Sequence, residues 1–381
     1  MSTTRDEDAQ WMCAALEWSR QGRGWTSPRP SVGCVIVRDG RIIGGGHTQP
    51  GNGNPHAEIM ALRVAAQSGE DTHGATAYVT LEPCCHYATT PPCTDALINA
   101  GIRRVVTGVL DPNPAVNGHG WQQLCAAGIE VVTGFMAEEC ARAQEDFLKH
   151  IVARTPFVTL KCAVSLDGKI ATRTGESQWI TGPQSRRRAH VLRHEHDAVI
   201  AGIGTVLADD PQLTVRLEGR WKNPARVILD SRGRLPLGAR VLRDAHTTPV
   251  FVATTEAMPP EHGAALEALG ARILRSPARD GRVDLNILCH QLYEHGICSI
   301  LIEGGAAVAG AALSAGIVDK VMFFIAPMLL GGGLDALGGA GVEKLADAPR
   351  LRDMQIEHLG DDVLMSGYLT PLLPGKLCSQ D

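Results

Sequence analysis

The sequence predicts an α/β protein of two domains. Three observations carry this. Short apolar segments of strand character alternate with segments of helical spacing along nearly the whole chain, the pattern of sheets layered with helices. At 381 residues, the length fits two domains of ordinary size. Finally, the stretch "HIVARTPF" at 150–157 reads as a linker, with Pro156 restarting the chain. The expected domains are 1–150 and 155–372.

In the first domain, residues 9–22 carry apolar groups at helical spacing and end in Gly22, which predicts a helix. "SVGCVIV" (31–37) and "GRIIGGG" (40–46) predict a hairpin joined at "RDG". "HAEIMALRVAAQS" (56–68) reads as a helix entered from Pro55. Then come a strand at 75–82, a helix at 94–101, a strand at 102–111, the helix "WQQLCAAG" and the strand "IEVVTG". Together they imply a mixed sheet between helices. In the second domain, "FVTLKCAVS", "DAVIAGIGTV", "ARVILDS", "PVFVATT", "ARILRS", "SILIEGG", "KVMFFIAP" and "VLMSGYLT" predict strands. "SRRRAHVLRHE", "PEHGAALEALG" and "VAGAALSAG" predict helices between them. The last residues, "LPGKLCSQD", read as a loose tail.

Composition narrows the function. The net charge of -5 and an aromatic content of 4% are poor material for nucleic-acid binding, and Arg186, Arg187 and Arg188 read as a solvated helix face. The polar, acidic "MSTTRDEDAQ" lacks the features of a secretory signal. The most apolar run, "VMFFIAPMLL" (321–330), is too short to span a bilayer and reads as a buried strand. Eleven cysteines in such a chain point to reduced thiols or metal ligands in the cytoplasm rather than to disulfides. Cys34, Cys125, Cys140, Cys162, Cys289 and Cys298 sit in apolar surroundings and are expected in the core. His190, His194 and His196 are expected on the surface or along a helix, without a special role.

The chemistry concentrates in "LEPCCHYATTPPC" (81–93) and in His56 and Glu58, an H-x-E at a helix start. H-x-E followed by P-C-x-x-C is the pattern of zinc-dependent nucleobase deaminases, in which the carboxylate is not a ligand; here the gap is eight residues rather than two if Cys84 pairs with Cys93, both preceded by Pro. One imidazole and two thiolates fill three tetrahedral positions and leave the fourth to water. Zinc lowers the pKa of that water from about 16 to about 7. Glu58 would shuttle the proton to a ring nitrogen and then to departing ammonia. The expected ligands are His56, Cys84 and Cys93, with Cys85 and His86 as competitors and Cys85 expected as a buried thiol. A structural zinc, or cysteines that merely pack, is the alternative; the upstream H-A-E favours a catalytic metal. In the second domain, "LIEGGAAVAGAAL" is a strand, a glycine pair and a helix, where free N–H groups can meet a phosphate. It is not the G-x-G-x-x-G dinucleotide fingerprint, and a glycine pair alone also makes a plain tight turn.

The ordered set "PHAE", "YVTLEPC…TPPC", "DPNPAV", "SLDGKIA", "GESQWITG", "ADDPQLTVR", "VILDSRG" and "IEGGAAVAGAAL" resembles the bifunctional riboflavin-biosynthesis deaminase/reductases over nearly the whole chain. The resemblance implies a cytidine-deaminase-like α/β/α first domain and a dihydrofolate-reductase-like α/β second domain. It implies zinc-dependent deamination of a diaminopyrimidinone ribotide, then NADPH reduction of its ribosyl to a ribityl chain. It carries over His56, Cys84 and Cys93 as Zn²⁺ ligands, Glu58 as proton shuttle, and Asp111 and Asn113 as deaminase substrate contacts. It places NADPH on Ala163, Trp179, Thr205, Asp209, Ser231, Gly305, Ala306, Ala307, Val308, Ala309, Gly310 and Ala311. It places the reductase substrate on Ser177, Arg193, Leu213, Arg216 and Glu303. The implied partner is the small-molecule ribotide, with neither nucleic acid nor membrane; association into a homo-oligomer is expected.

The chain departs from that family around the deaminase pocket. Arg29 stands for Asn in "PRPSVG", Cys85 for a small polar residue, Ala88 and Thr89 for a Gly followed by Lys or Arg, and Asn117 and His119 interrupt V-A-G-[KR]-G. An Asn that bonds a base edge is not equivalent to an Arg, and a lost cation weakens a phosphate contact. These changes motivate a second reading, a paralogue acting on a related pyrimidine in a neighbouring pathway, with one domain inactive. A zinc-stabilised binding protein without turnover is a third, and the retained Glu58 argues against it.

Overall fold

Apolar strand positions with glycines at the closest helix crossings build the first of two units, which divide between Arg154 and Thr155. The structure, a computed structural model, describes residues 2–87 and 90–371. The expectations on Ala88, Thr89, residue 372 and the tail at 373–381 fall outside the described residues.

In the first unit, α1 (Ser2–Gly22) is followed by β1 (Gly33–Arg38), β2 (Arg41–His47), α2 (Ala57–Gln67), β3 (Thr76–Leu81), α3 (Cys93–Asn99), β4 (Arg104–Val109), α4 (His119–Ala126), β5 (Glu130–Val132), α5 (Ala137–Ala143) and α6 (Glu145–Ala153). The strands form one sheet in the order β2-β1-β3-β4-β5. β1 runs antiparallel to β2 and β3, and β3, β4 and β5 are parallel. The hairpin turn is Asp39–Gly40, both at positive φ, the backbone that matches strand twist in a two-residue loop. Glycine lets α2 lie against β2, since a Cβ at Gly44 would stand 2.2 Å from the Ala61 carbonyl oxygen. That packing fixes the start of α2, where His56 and Glu58 sit.

Sequence and structure differ at the end of this unit. His150–Ala153 is the last turn of α6 and not linker; Phe147 and Leu148 bury that helix on the sheet, and Arg154 ends it in a left-handed conformation.

In the second unit, the elements are β6 (Phe157–Ser165), β7 (Lys169–Ala171), α7 (Pro183–Glu195), β8 (Ala198–Gly202), α8 (Ile203–Asp209), β9 (Ala225–Leu229), β10 (Val250–Thr254), α9 (Pro260–Ala268), β11 (Arg272–Arg275), β12 (Ala278–Arg279), β13 (Arg282–Val283), α10 (Leu285–Glu294), β14 (Ser299–Ile302), α11 (Ala306–Ser314), β15 (Lys320–Ala326), β16 (Leu334–Asp335), β17 (Arg352–Leu359) and β18 (Asp362–Tyr368). Among the described residues, nine strands make one sheet, β11-β10-β9-β8-β14-β6-β15-β18-β17. It is parallel from β11 to β15, with β18 and β17 antiparallel at the edge. Parallel strands buried on both faces explain the continuous apolar runs of this half.

Four corrections belong here. "DAVIAGIGTV" is strand only to Gly202; Ile203 and Val206 are spaced for α8 and buried there. The run at 321–330 leaves the sheet after Ala326, and Leu329 is 72% exposed, beyond Pro327, which has no N–H to donate. α10 escaped the sequence reading although Asp284 caps it, its carboxylate accepting from the Asn286 and Ile287 amides. So did β17, an edge strand exposed along nearly all its length and lacking apolar alternation. Among the described residues, no helix is long and apolar enough to cross a membrane.

Candidate active sites

In the first unit, three segments deliver His56, Cys84 and Cys93 to one point. His56 is the extended residue before α2, Cys84 follows β3, and Cys93 opens α3. The His56 Nδ1 lies 3.4 Å from the Cys84 Sγ and 3.3 Å from the Cys93 Sγ. Their donor atoms lie within 4.8 Å of one another. The Cys93 thiol and His56 hydrogen-bond the Cys84 sulfur and hold its pKa down to about 4, a thiolate at neutral pH. This donor set, two sulfurs and one imidazole nitrogen, suits zinc with one position left over. Neither Cys85 nor His86 joins it. Cys85 is half-buried rather than buried, and its thiol reaches the Ala115 carbonyl at 3.8 Å.

Glu58 lies in the first turn of α2, 3% exposed. Burial pushes its carboxyl up to about 7, so it exchanges a proton near neutrality. Arg29 is half-buried and donates to the carbonyls of Gln49 (3.4 Å), Gly51 and Asn54 (3.2 Å). Burial lowers its pKa while the two cysteines oppose that, which places its charge within range of the metal site.

Asp111 and Asn113 lie on the loop between β4 and α4. Asp111 is 8% exposed, and burial raises its carboxyl to about 7, with Cys84 among the charges it feels. Its Oδ1 accepts from the Asn113 amide at 2.8 Å, and the Asn113 Oδ1 from the Ala115 amide at 3.1 Å. Glu82, which sequence reasoning gave no role, lies buried beneath this loop and accepts several of its amides.

The second unit holds a cavity of about 1700 Å³. It opens at the carboxyl ends of β6, β8 and β14, where open parallel sheets bind ligands. Of the residues the resemblance pointed to, Ala163, Ser177, Trp179, Arg193, Thr205, Asp209, Arg216, Glu303, Gly305, Ala306, Ala307, Val308, Gly310 and Ala311 line it. Leu213, Ser231 and Ala309 do not. Leu213 (3% exposed) and Ala309 (0%) pack in the core, and the Ser231 hydroxyl accepts the Val283 amide at 3.1 Å. Arg193 grips Glu303, with Nη2–Oε2 at 2.6 Å and Nε at 3.1 Å from both carboxylate oxygens. Despite burial, Arg193 and Lys161 hold the Glu303 carboxyl at about 2.

Lys161 and His190 also line this cavity and were missed. Lys161 hides within a strand, its ammonium 5.6 Å from the Phe324 ring centre. His190 is not idle: its Nδ1 accepts the Arg216 amide at 3.3 Å and lies 3.5 Å from an Arg193 nitrogen. Burial, then Arg193 and Arg216, lower its pKa to about 4. His194 and His196 are buried, not on the surface; His194 accepts the Lys222 amide and His196 meets Leu192 and Thr159. Arg186 lies over the Trp179 ring at 4.8 Å and lines the cavity with Arg187, so that helix face is not merely solvated. Cys125 is exposed, not core, because it falls on the outer side of α4.

Comparison with known proteins covers both units. Residues 5–109 match the family model "Cytidine and deoxycytidylate deaminase zinc-binding region", and residues 156–365 match "RibD C-terminal domain". The "Riboflavin biosynthesis protein RibD" of Aquifex aeolicus is 41% identical, covering 95% of this chain and 98% of its own. That of Escherichia coli is 43% identical, covering 94% and 98%. Among solved structures, a diaminohydroxyphosphoribosylaminopyrimidine deaminase/5-amino-6-(5-phosphoribosylamino)uracil reductase from Thermotoga maritima superposes with TM-score 0.83 at 38% identity, over 96% of this chain and 99% of that one. Acinetobacter baumannii RibD gives 0.81 at 40%, over 96% and 99%.

Proposed function

The chain belongs to the RibD family of bifunctional riboflavin-biosynthesis deaminase/reductases, with Zn²⁺ and NADPH as cofactors, and from that premise we propose which of its residues run each reaction. The deaminase occupies the first unit and the reductase the second.

The convergence of His56, Cys84 and Cys93 beside a buried Glu58 carries the deaminase reading. These three residues hold zinc, since their donor chemistry and spacing fit it. When bound, zinc supplies a water that is nucleophilic at neutral pH. Glu58 takes a proton from that water and delivers it to the ring nitrogen, while oxygen adds to the carbon bearing the amine. Glu58 then takes the remaining proton of the added hydroxyl and passes it to the amine; the carbonyl forms as the carbon–nitrogen bond breaks, and ammonia leaves. Asp111 and Asn113 orient the pyrimidine. The substrate is 2,5-diamino-6-(5-phosphoribosylamino)pyrimidin-4-one, and a carbonyl replaces its amine.

In the second unit, NADPH, when bound, would supply the hydride that reduces the opened ribose to the ribityl chain. The backbone from Gly305 into α11 offers amides to the cofactor's phosphates. Arg193, held by Glu303, and Arg216 offer planar guanidinium groups to the sugar phosphate. Hydride transfer needs alignment above all, which these contacts supply.

Mass spectrometry of products tests both halves. Zinc-loaded protein converts the diaminopyrimidinone ribotide to a carbonyl product, and two further hydrogens appear only with NADPH. An untouched ribotide on zinc-loaded protein defeats the deaminase assignment and favours another pyrimidine, with Arg29 as the first residue to exchange.

A further inference from the structure

We propose that Glu82 is a positioning residue for deamination, holding the substrate-facing loop at 111–118 and the first turn of α4 against the segment that carries Cys84. This rests on the deaminase reading above and names what sets its substrate geometry.

Glu82 is 3% exposed and spends both carboxylate oxygens on backbone amides of that loop and of the first turn of α4. Oε2 accepts from Asp111 at 3.2 Å and Gly118 at 3.0 Å. Oε1 accepts from Gly120 at 3.0 Å and Trp121 at 3.3 Å. A buried carboxylate is stable only when so satisfied, and these charge-assisted bonds are stronger than neutral ones. Gly118, Gly120 and Trp121 present the free amides of the α4 N-terminus, so their convergence with the Asp111 amide on one side chain ties the start of that helix to the start of the loop. The fold leaves no slack: a Cβ at Gly120 would stand 2.3 Å from the Pro83 carbonyl oxygen and 3.0 Å from Glu82 Oε1. On the other side of Cys84, Cys85 reaches the Ala115 carbonyl of the same loop at 3.8 Å. Cys84 thus lies between two residues that dock on the loop carrying Asp111 and Asn113. With both oxygens occupied by amides, Glu82 has no lone pair directed at a substrate, so it acts through Asp111 and Asn113.

The test is Glu82→Gln in the full-length, zinc-loaded protein. The amide NH₂ of Gln faces N–H groups and cannot accept from them, so the loop loosens while side-chain size is kept. The expected result is a KM for the diaminopyrimidinone ribotide raised about tenfold or more, with kcat changed less than about threefold. Zinc content stays at the wild-type level, and reductase turnover of the separately supplied deaminated product stays unchanged. Glu82→Asp, which keeps the acceptor, restores part of the KM. Gly120→Ala, which pushes the loop from the Pro83 side without altering charge, reproduces the KM increase. An unchanged KM in folded, zinc-loaded Glu82→Gln overturns the proposal. So does a fall in kcat alone, which would place Glu82 in the chemistry, or loss of zinc from both Glu82→Gln and Gly120→Ala, which would make it a support of the metal site. A wild-type protein that leaves the ribotide untouched fails the deaminase reading instead.

Discussion

The candidate cofactor sites of the two units are built by opposite means. In the first, three side chains from three segments bring their donor atoms within 4.8 Å, and one buried carboxylate stands beside them. In the second, a cavity of about 1700 Å³ is lined by residues of many elements, among them the small residues from Gly304 into α11 and charged side chains such as Lys161, Arg193, Arg216 and Glu303. A metal site needs particular atoms at fixed distances, so its residue types cannot vary much. A dinucleotide cleft needs room, free amides and a few cations, which many sequences can supply. Single substitutions should therefore switch the first site off and only retune or destabilise the second.

The largest expected effect tests the first half of that contrast. Glu58→Gln keeps the shape of the side chain and removes its proton transfer. Deamination should fall by about 10²–10⁴-fold, the range for a positioned general acid–base group. Zinc content should stay at the wild-type level, and reductase turnover of deaminated substrate should not change. Product assays on the two substrates, with metal analysis, measure all three. Deamination at the wild-type rate would remove Glu58 from the mechanism.

The next effect is on stability. Arg193→Ala leaves Glu303, whose side chain is 7% exposed, without its guanidinium. Removing one partner of a buried pair costs about 3–5 kcal/mol. In a domain of this size that lowers the melting temperature by roughly ten degrees. Reductase activity should fall while deaminase activity persists. The pH dependence follows from the sign of the shift. Glu303 titrates at about 2 when folded, below its ordinary value near 4.3. The pair's stabilisation is full above that ordinary value and is lost as pH falls towards 2. Arg193→Ala should remove this acid-side loss, as melts between pH 2 and 5 would show.

What the sequence revealed follows the same division. His56, Cys84 and Cys93 were legible because metal chemistry fixes residue type, with Glu58 beside them in the H-x-E; the long gap between the cysteines left Cys85 and His86 as competitors until the folded chain brought the three donors together. Alternating strands and helices were legible wherever burial was two-sided, as in β6, β9, β10 and β15. β17 was not, because an exposed edge strand needs no apolar pattern. Glu82 stood in view within "TLEPC", yet its role depends on amides about thirty to forty residues downstream, which no local pattern records. His190 read as one more polar residue on a basic helix: Arg193 is its neighbour three residues along α7, but Arg216 meets it only in the folded cleft.

His190 provides the smallest effect and the finest test of the second site. Burial and the two arginines keep its ring neutral down to about pH 4. A neutral Nδ1 can accept the Arg216 amide, whereas a protonated one cannot. The unfolded histidine titrates near 6.5, so between pH 6.5 and 4 the unfolded chain binds the extra proton. Stability conferred by the neutral ring is therefore full above 6.5 and declines as pH falls through that window. Solvent reaches this half-buried ring, which limits the decline to about 1 kcal/mol. His190→Gln keeps an acceptor and does not titrate. It should flatten the decline between pH 4 and 6.5 and raise the reductase substrate KM about twofold to threefold, leaving kcat near wild type. An identical stability slope in the variant would show that His190 is not held neutral by its surroundings. A slope that flattens while KM stays fixed would assign His190 to the fold of the 214–217 stretch alone, leaving Arg193 and Glu303 to set phosphate affinity.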